Sequence, residues 1–146
     1  MPRARVVAGI TLMYLLLAPS VRAAAEPYAV VFEANVPVKM RDGVTLRADI
    51  YRPRAEGRFA VLLQRTPYNK DGEHGFGLKA AARGYIVVVQ DVRGRYASEG
   101  EWYTFKHESS DGYDTVEWAA ALPHADGRVG MFGGSYVGAT QMLAAT

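Results

Sequence analysis

A serine set among glycines, in the run Gly133-Gly134-Ser135-Tyr136-Val137-Gly138, is the stretch best suited to covalent chemistry. The apolar residues 129–132 lead into it, and Ala139, Gln141, Met142, Leu143, Ala144 and Ala145, all good helix formers, follow. The pattern predicts a strand, a sharp turn and a helix, with the serine held in a strained backbone conformation at the turn. Glycine is expected beside it because side chains there would collide with the strand and helix. A serine so placed lies at a helix N-terminus, where unpaired backbone N–H groups can stabilise an oxyanion. The usual elbow reads G-x-S-x-G; here Val137 takes the last glycine's place and Gly138 comes one residue late. Two blander readings compete: a glycine-rich turn with a surface serine, and a phosphate cradle. The cradle would want Gly-Lys-Ser or Gly-Lys-Thr, and the turn has no lysine.

A serine nucleophile needs two oxyanion donors and an imidazole base oriented by a carboxylate. The backbone N–H of Tyr136, directly after the serine, is the first donor candidate. The second should come from the loop after the third strand, Arg65-Thr66-Pro67-Tyr68, which has no run of glycines. It offers the phenol of Tyr68, a competent donor; the competing reading is an aromatic ring capping a loop shaped by Pro67. No Asp, Glu or His follows Ser135, whereas in this type of fold the order is serine, acid, histidine. His74, His107 and His124 all precede it and read as loop or surface residues, without metal-ligand spacing. Glu99 and Glu101 are spaced as solvated loop charges rather than as a glycosidase pair. Asp91 and Arg93 read as a pair shaping a loop, and Asp111 and Asp114 as helix-start residues.

The elements that must position these groups follow from periodicity. Residues 28–40 and 44–51 alternate around Arg41-Asp42-Gly43, predicting an antiparallel hairpin. Residues 59–63 and 85–89 are continuous apolar runs, as expected of strands buried on both faces. Between them, 78–83 reads as a short helix closed by Gly84. Ser109 and Ser110 are N-cap candidates for a helix ended by Pro123, with Tyr113, Val116, Trp118, Ala120 and Ala121 on its apolar side. This order implies an α/β fold with helical crossovers between parallel strands. Chemistry should gather at the carboxyl ends of those strands, in loops 64–72, 90–107 and 133–136.

The chain has 146 residues, enough for one domain, and no cysteine, which excludes disulfides, thiolate metal sites and a thiol nucleophile. Residues 1–25 read as a secretory signal peptide: Arg3 and Arg5, an apolar run at 6–18, then cleavage candidates near Ala23 and Ala25. The apolar run is short for a membrane span, which needs about 20 residues. The remainder, 26–146, holds 14 Lys and Arg against 15 Asp and Glu and has no basic stripe for nucleic acid. The mature protein is therefore expected to be secreted or periplasmic, with neither nucleic-acid nor membrane partners.

The set Val38-Lys39-Met40-Arg41-Asp42-Gly43, Arg65-Thr66-Pro67-Tyr68, Gln90-Asp91-Val92-Arg93-Gly94, Ser98-Glu99-Gly100, Asp111-Gly112-Tyr113-Asp114 and Gly133-Gly134-Ser135-Tyr136-Val137-Gly138 resembles the N-terminal part of the X-prolyl dipeptidyl-peptidase and cocaine-esterase-like serine hydrolases. That group has the α/β-hydrolase fold, and its elbow reads G-x-S-Y-x-G, so the late glycine matches. The resemblance implies Ser135 as nucleophile, with the Tyr68 phenol and the Tyr136 backbone N–H as oxyanion hole. It implies no cofactor, and a small ester, amide or peptide as substrate. It also makes 26–146 the N-terminal part of a catalytic domain whose triad Asp and His, later strands and further domains lie beyond residue 146; the 146 residues alone are then expected to be inactive. A dipeptidyl-peptidase and a catalytically inactive binding domain remain alternatives.

Overall fold

The computed structural model describes residues 26–146. The signal-peptide expectation falls on residues 1–25 and lies outside them. Five strands form one mixed sheet: β1 (Val30–Lys39), β2 (Thr45–Pro53), β3 (Phe59–Thr66), β4 (Ile86–Asp91) and β5 (Ala125–Met131), in the order β1-β2-β4-β3-β5. β1 and β2 form the antiparallel hairpin, and β2 also runs antiparallel to β4. β3 lies parallel to both β4 and β5. Three helices connect or follow the strands: α1 (His74–Ala81), α2 (Glu108–Ala120) and α3 (Tyr136–Ala144).

The central strands are apolar on both faces because both faces are covered. Val61 and Leu63 of β3 join Ile86 and Val88 of β4, with Leu46, Ala48 and Ile50 of β2, in one core that Ala119, Val116 and Trp118 of α2 cover. Val87 and Val89 of β4 join Tyr51, Ala80 and Ala81 in a second cluster under α1. Burying each such aliphatic side chain contributes about 1.5–3 kcal/mol. The order of elements and the strand directions agree with the sequence expectation.

Three boundaries differ. α1 starts at His74, four residues before the expected helix, because a 3₁₀ turn at Lys70–Glu73 leads directly into it. Asn69 caps that turn, its side chain accepting from the Asp71 N–H at 3.1 Å. β5 starts at Ala125 rather than Val129, since pairing with β3 already begins at Phe59 and Ala125. α2 starts at Glu108, and its N-cap is His107, not Ser109 or Ser110; the Ser110 hydroxyl instead donates back to the His107 carbonyl at 3.3 Å.

The face of α2 also differs. Its buried residues are Glu108, Asp111, Gly112, Thr115 and Ala119, whereas Tyr113 points to solvent. The charged members are inside because two arginines meet them. Arg65 on β3, 0% exposed, donates from Nη1 to Glu108 Oε2 at 2.8 Å. Its Nε donates to Gln90 Oε1 at 2.8 Å, which also accepts from the Thr115 hydroxyl at 3.0 Å. Arg93 donates to Asp111 at 2.6 and 2.9 Å and to Asp42 at 2.8 and 3.2 Å. Its hydrogen bonds, chiefly the one to Asp111, raise its already high pKa. Arg41 holds Asp114 in a fork at 2.6–3.1 Å, which lowers the carboxyl's pKa. Asp111 lies in the first turn of α2, as expected, and also anchors Arg93 from the loop after β4; Asp114 lies beyond that turn and anchors Arg41 of the hairpin turn. Removing one partner of a buried pair such as Arg65–Glu108 or Arg93–Asp111 typically costs about 3–5 kcal/mol.

Candidate active site

β3, β4 and β5 end on the same edge of the sheet, and the segments leaving them converge there. Beyond β5, Gly133 and Gly134 lead to Ser135, the residue immediately before α3. Ser135 has φ 57° and ψ −130°, a left-handed φ that a non-glycine residue adopts only at a cost of about 1–3 kcal/mol. Its side chain makes no capping bond to its own helix. It is exposed, and its Oγ lies 3.5 Å from the Tyr68 hydroxyl.

Tyr68 comes from the loop beyond β3. Thr66 Oγ1 accepts the Tyr68 N–H at 3.0 Å, and Pro67 between them is buried. The ring itself is 59% exposed and reaches over the serine. Two residues later, the Lys70 N–H donates to Asp91 Oδ1 at 2.8 Å. Asp91 Oδ2 accepts the Ala97 N–H at 3.3 Å. Asp91 therefore ties the segment after β3 to the segment after β4; burial raises its pKa. Asp91 and Arg93 do not form the mutual pair that the sequence suggested. Arg93 turns instead toward Asp111 and Asp42.

Tyr136, the first residue of α3, has its backbone N–H in the orphan position of a helix N-terminus. Its side chain is fixed from two sides. The phenol donates to Glu108 Oε1 at 2.9 Å and accepts the Phe105 N–H at 3.0 Å. Burial raises its pKa to about 12, so it remains a protonated donor at neutral pH. Phe105 stacks on the Tyr136 ring with centroids 4.5 Å apart, and Trp102 packs on it at 5.4 Å. The charge network of α2 thus reaches the elbow: Arg65 holds Glu108, and Glu108 holds Tyr136.

The glycines around Ser135 are not equivalent. Gly133 has φ 119°, and a Cβ there would sit 2.4 Å from Val137 Cγ1. A Cβ on Gly134 would meet nothing within 4 Å, and one on Gly138 only the Gly133 carbonyl at 3.7 Å. The expected steric need for glycine therefore applies to Gly133 and not to Gly134. Gly133→Ala should lower stability by about 2–4 kcal/mol, and Gly134→Ala by less than about 0.5 kcal/mol; urea unfolding of the two variants checks the contrast.

The remaining candidates lie elsewhere. His74 Nδ1 is 3.2 Å from the Tyr51 hydroxyl, and its ring packs edge-on against Phe32 and Tyr51. His107 occupies the N-cap position of α2 without a side-chain capping bond, and His124 Nδ1 lies 3.3 Å from the Gly57 carbonyl. Among the described residues, Ser135 Oγ has Tyr68 and no histidine within hydrogen-bond distance. Glu99 and Glu101 are exposed, and Glu99 accepts the Thr45 N–H at 3.2 Å. Sequence reasoning missed Arg65, Glu108, Trp102 and Phe105 as supports of the site. Arg65 and Glu108 are 43 positions apart, and no local pattern pairs them.

Residues 42–146 match the model of the X-Pro dipeptidyl-peptidase family, S15. Cocaine esterase from Rhodococcus sp. (strain MB1 Bresler) is 46% identical over 118 residues, covering 77% of this chain and 21% of that protein. The solved structure of an α-amino acid ester hydrolase superposes with a TM-score of 0.70 at 28% identity, covering 90% of this chain and 26% of that one. A CocE/NonD family hydrolase from Staphylococcus aureus gives 0.72 at 29% identity, covering 80% and 25%. The chain thus spans about a fifth of the cocaine esterase and about a quarter of each solved structure. These neighbours share its mixed sheet, which is that of the α/β-hydrolases. With the family model covering nearly all of the sequence from the first hairpin turn onward, the chain belongs to the X-Pro dipeptidyl-peptidase (S15) family.

Proposed function

We propose that this chain carries the nucleophile and oxyanion hole of a secreted serine hydrolase that cleaves esters or amides through an acyl-enzyme. The observation that carries the proposal is the meeting of a strained, exposed Ser135 with the Tyr68 phenol at 3.5 Å, above the ends of β5 and β3. Strain at a single φ is kept where the surroundings enforce it, commonly for function; that favours an enzyme over a passive binding domain. The ester reading draws on a relative, 46% identical, that is named an esterase. Secretion rests on the sequence of residues 1–25 alone.

In this mechanism Ser135 Oγ attacks the carbonyl carbon while a base removes its proton. The carbonyl π electrons move to oxygen, and the Tyr68 O–H and Tyr136 N–H donate to that oxygen. Collapse expels the alcohol or amine, which takes the proton, and leaves an acyl group on Ser135. Water then repeats the sequence and frees the acid. The imidazole base and its carboxylate are assigned to parts of the protein beyond these residues, and the 146 residues by themselves would turn over little.

Labelling tests the assignment. A fluorophosphonate should add to the complete gene product at Ser135, located by mass spectrometry of the peptide that carries it. A folded, active protein labelled at another residue, with Ser135 unmodified, would refute the nucleophile assignment.

A further inference from the structure

The segment between β4 and α2 touches both arms of the proposed oxyanion hole. On one side Arg95 Nε donates to the Pro67 carbonyl at 3.1 Å, the peptide group immediately before Tyr68. On the other, Phe105 and Trp102 hold Tyr136 by the contacts described above. Between the two sides, the Arg95 guanidinium lies over the Trp102 ring at 5.3 Å and over the Tyr96 ring at 5.1 Å. One continuous set of contacts therefore runs Pro67, Arg95, Trp102, Tyr136.

The segment is braced internally. Gly94 has φ 67°, and a Cβ there would sit 2.2 Å from the Trp102 N. The Gly94 N–H donates to the Glu99 carbonyl at 2.9 Å, and the Ser98 N–H to the Arg95 carbonyl at 3.0 Å. The Ser98 hydroxyl donates to the Asp91 carbonyl at 2.6 Å. Glycine at 94 is required for Trp102 to come close enough to lie beneath Arg95.

We propose that Arg95 is a positioning residue that fixes the Tyr68 phenol relative to the Tyr136 N–H. The inference rests on the functional reading above. Tyr68 needs such a fixing group, because its ring is largely exposed and sits on an irregular loop. The Thr66 contact restrains its backbone on one side only. An oxyanion donor acts at about 2.7–3.1 Å from the developing charge. A misplacement of about 1 Å can cost 10²-fold in rate. Arg95 supplies the second restraint, and it couples that restraint to the elbow through Trp102.

The test is a double-mutant cycle on the complete gene product, with p-nitrophenyl butyrate as substrate. Arg95→Met keeps an unbranched apolar side chain and removes the guanidinium, and with it the donor to Pro67 and the charge over Trp102. It should lower kcat by about tenfold with KM changed less than about twofold, the signature of a group acting on the transition state. Arg95→Lys, which restores one N–H donor, should recover part of the loss. In a Tyr68→Phe background the cost of Arg95→Met should fall below about twofold, because no phenol remains to be positioned. Equal cost in both backgrounds, or a change confined to KM, overturns the positioning role. If Arg95→Met loses the native thermal transition, Arg95→Gln, too short to reach Pro67, runs the same cycle. Ser135→Ala and Tyr68→Phe controls separate the two levels. If both keep full turnover, the functional reading falls and the inference with it; if both lose turnover and the cycle shows no coupling, only the inference falls.

Discussion

Ser135→Ala in the complete gene product is expected to lower kcat for ester hydrolysis by on the order of 10⁵–10⁶-fold. The argument is chemical first. Acyl transfer through this site needs an oxygen nucleophile at the elbow, and alanine has none. The rate that survives comes from substrate binding and the oxyanion donors, which can still favour attack by water. The structural side makes the prediction sharper. Ser135 sits at φ 57° and its hydroxyl makes no helix cap, so losing the oxygen removes no stabilising contact apart from the long one to Tyr68. Melting should therefore change little in Ser135→Ala. Ser135→Gly should melt higher, because glycine adopts positive φ without the cost of about 1–2 kcal/mol that a Cβ imposes. Steady-state kinetics with a p-nitrophenyl ester and thermal melts of the two variants check both halves. An alanine variant within about tenfold of the parent rate would remove Ser135 from the mechanism.

What the sequence revealed and what it hid follow a physical division. The placement of Ser135 at a strand–turn–helix junction, of Tyr136 at the start of the helix and of Tyr68 beyond a strand was legible because glycine spacing and element order are local properties. The same holds for the hairpin around Asp42-Gly43 and the two apolar strands flanking α1. The role of Tyr68 came only with the family resemblance. The buried face of α2 was not legible. A periodicity argument scores apolar residues, and this helix turns Glu108 and Asp111 inward because Arg65 and Arg93 wait there. Those partners come from β3 and from the loop after β4, so only the assembled sheet brings the charges together. Tyr113, placed on the apolar side by the periodicity argument, faces solvent, whereas Trp118 does pack on the core. The N-cap was missed because serine propensity at Ser109 and Ser110 was outweighed by the position of Glu108, whose carboxylate is fixed by Arg65 and by Tyr136. Arg95 carried no sequence signal, since its partner is a backbone carbonyl. The glycine pattern misled in part: it marks the elbow, but among Gly133, Gly134 and Gly138 only Gly133 meets a steric barrier in the described residues.

Tyr68→Phe is the second large effect, an expected loss of about 10²–10³-fold in kcat with a far smaller change in KM. The substitution keeps the ring and removes one O–H. The ring is 59% exposed and the hydroxyl's neighbour is Ser135, so stability should stay within about 0.5 kcal/mol of the parent. The kinetic cost is large because the phenol donates to a charge that exists fully only in the tetrahedral state. A ground-state carbonyl attracts it weakly, so binding hardly changes while the barrier rises by about 3–4 kcal/mol. The competing view of Tyr68, a ring that caps a loop, predicts no kinetic loss. Phenylalanine caps equally well, and kcat would be preserved. Tyr136→Phe distinguishes the two tyrosines further. There the backbone N–H survives, and the lost hydroxyl is the anchor between Glu108 and Phe105. Stability should drop by about 1–3 kcal/mol, since the Glu108 carboxylate and the Phe105 N–H lose a partner. A Tyr68→Phe variant that keeps both its stability and its rate would assign this tyrosine to the scaffold and leave the oxyanion hole with the Tyr136 N–H alone.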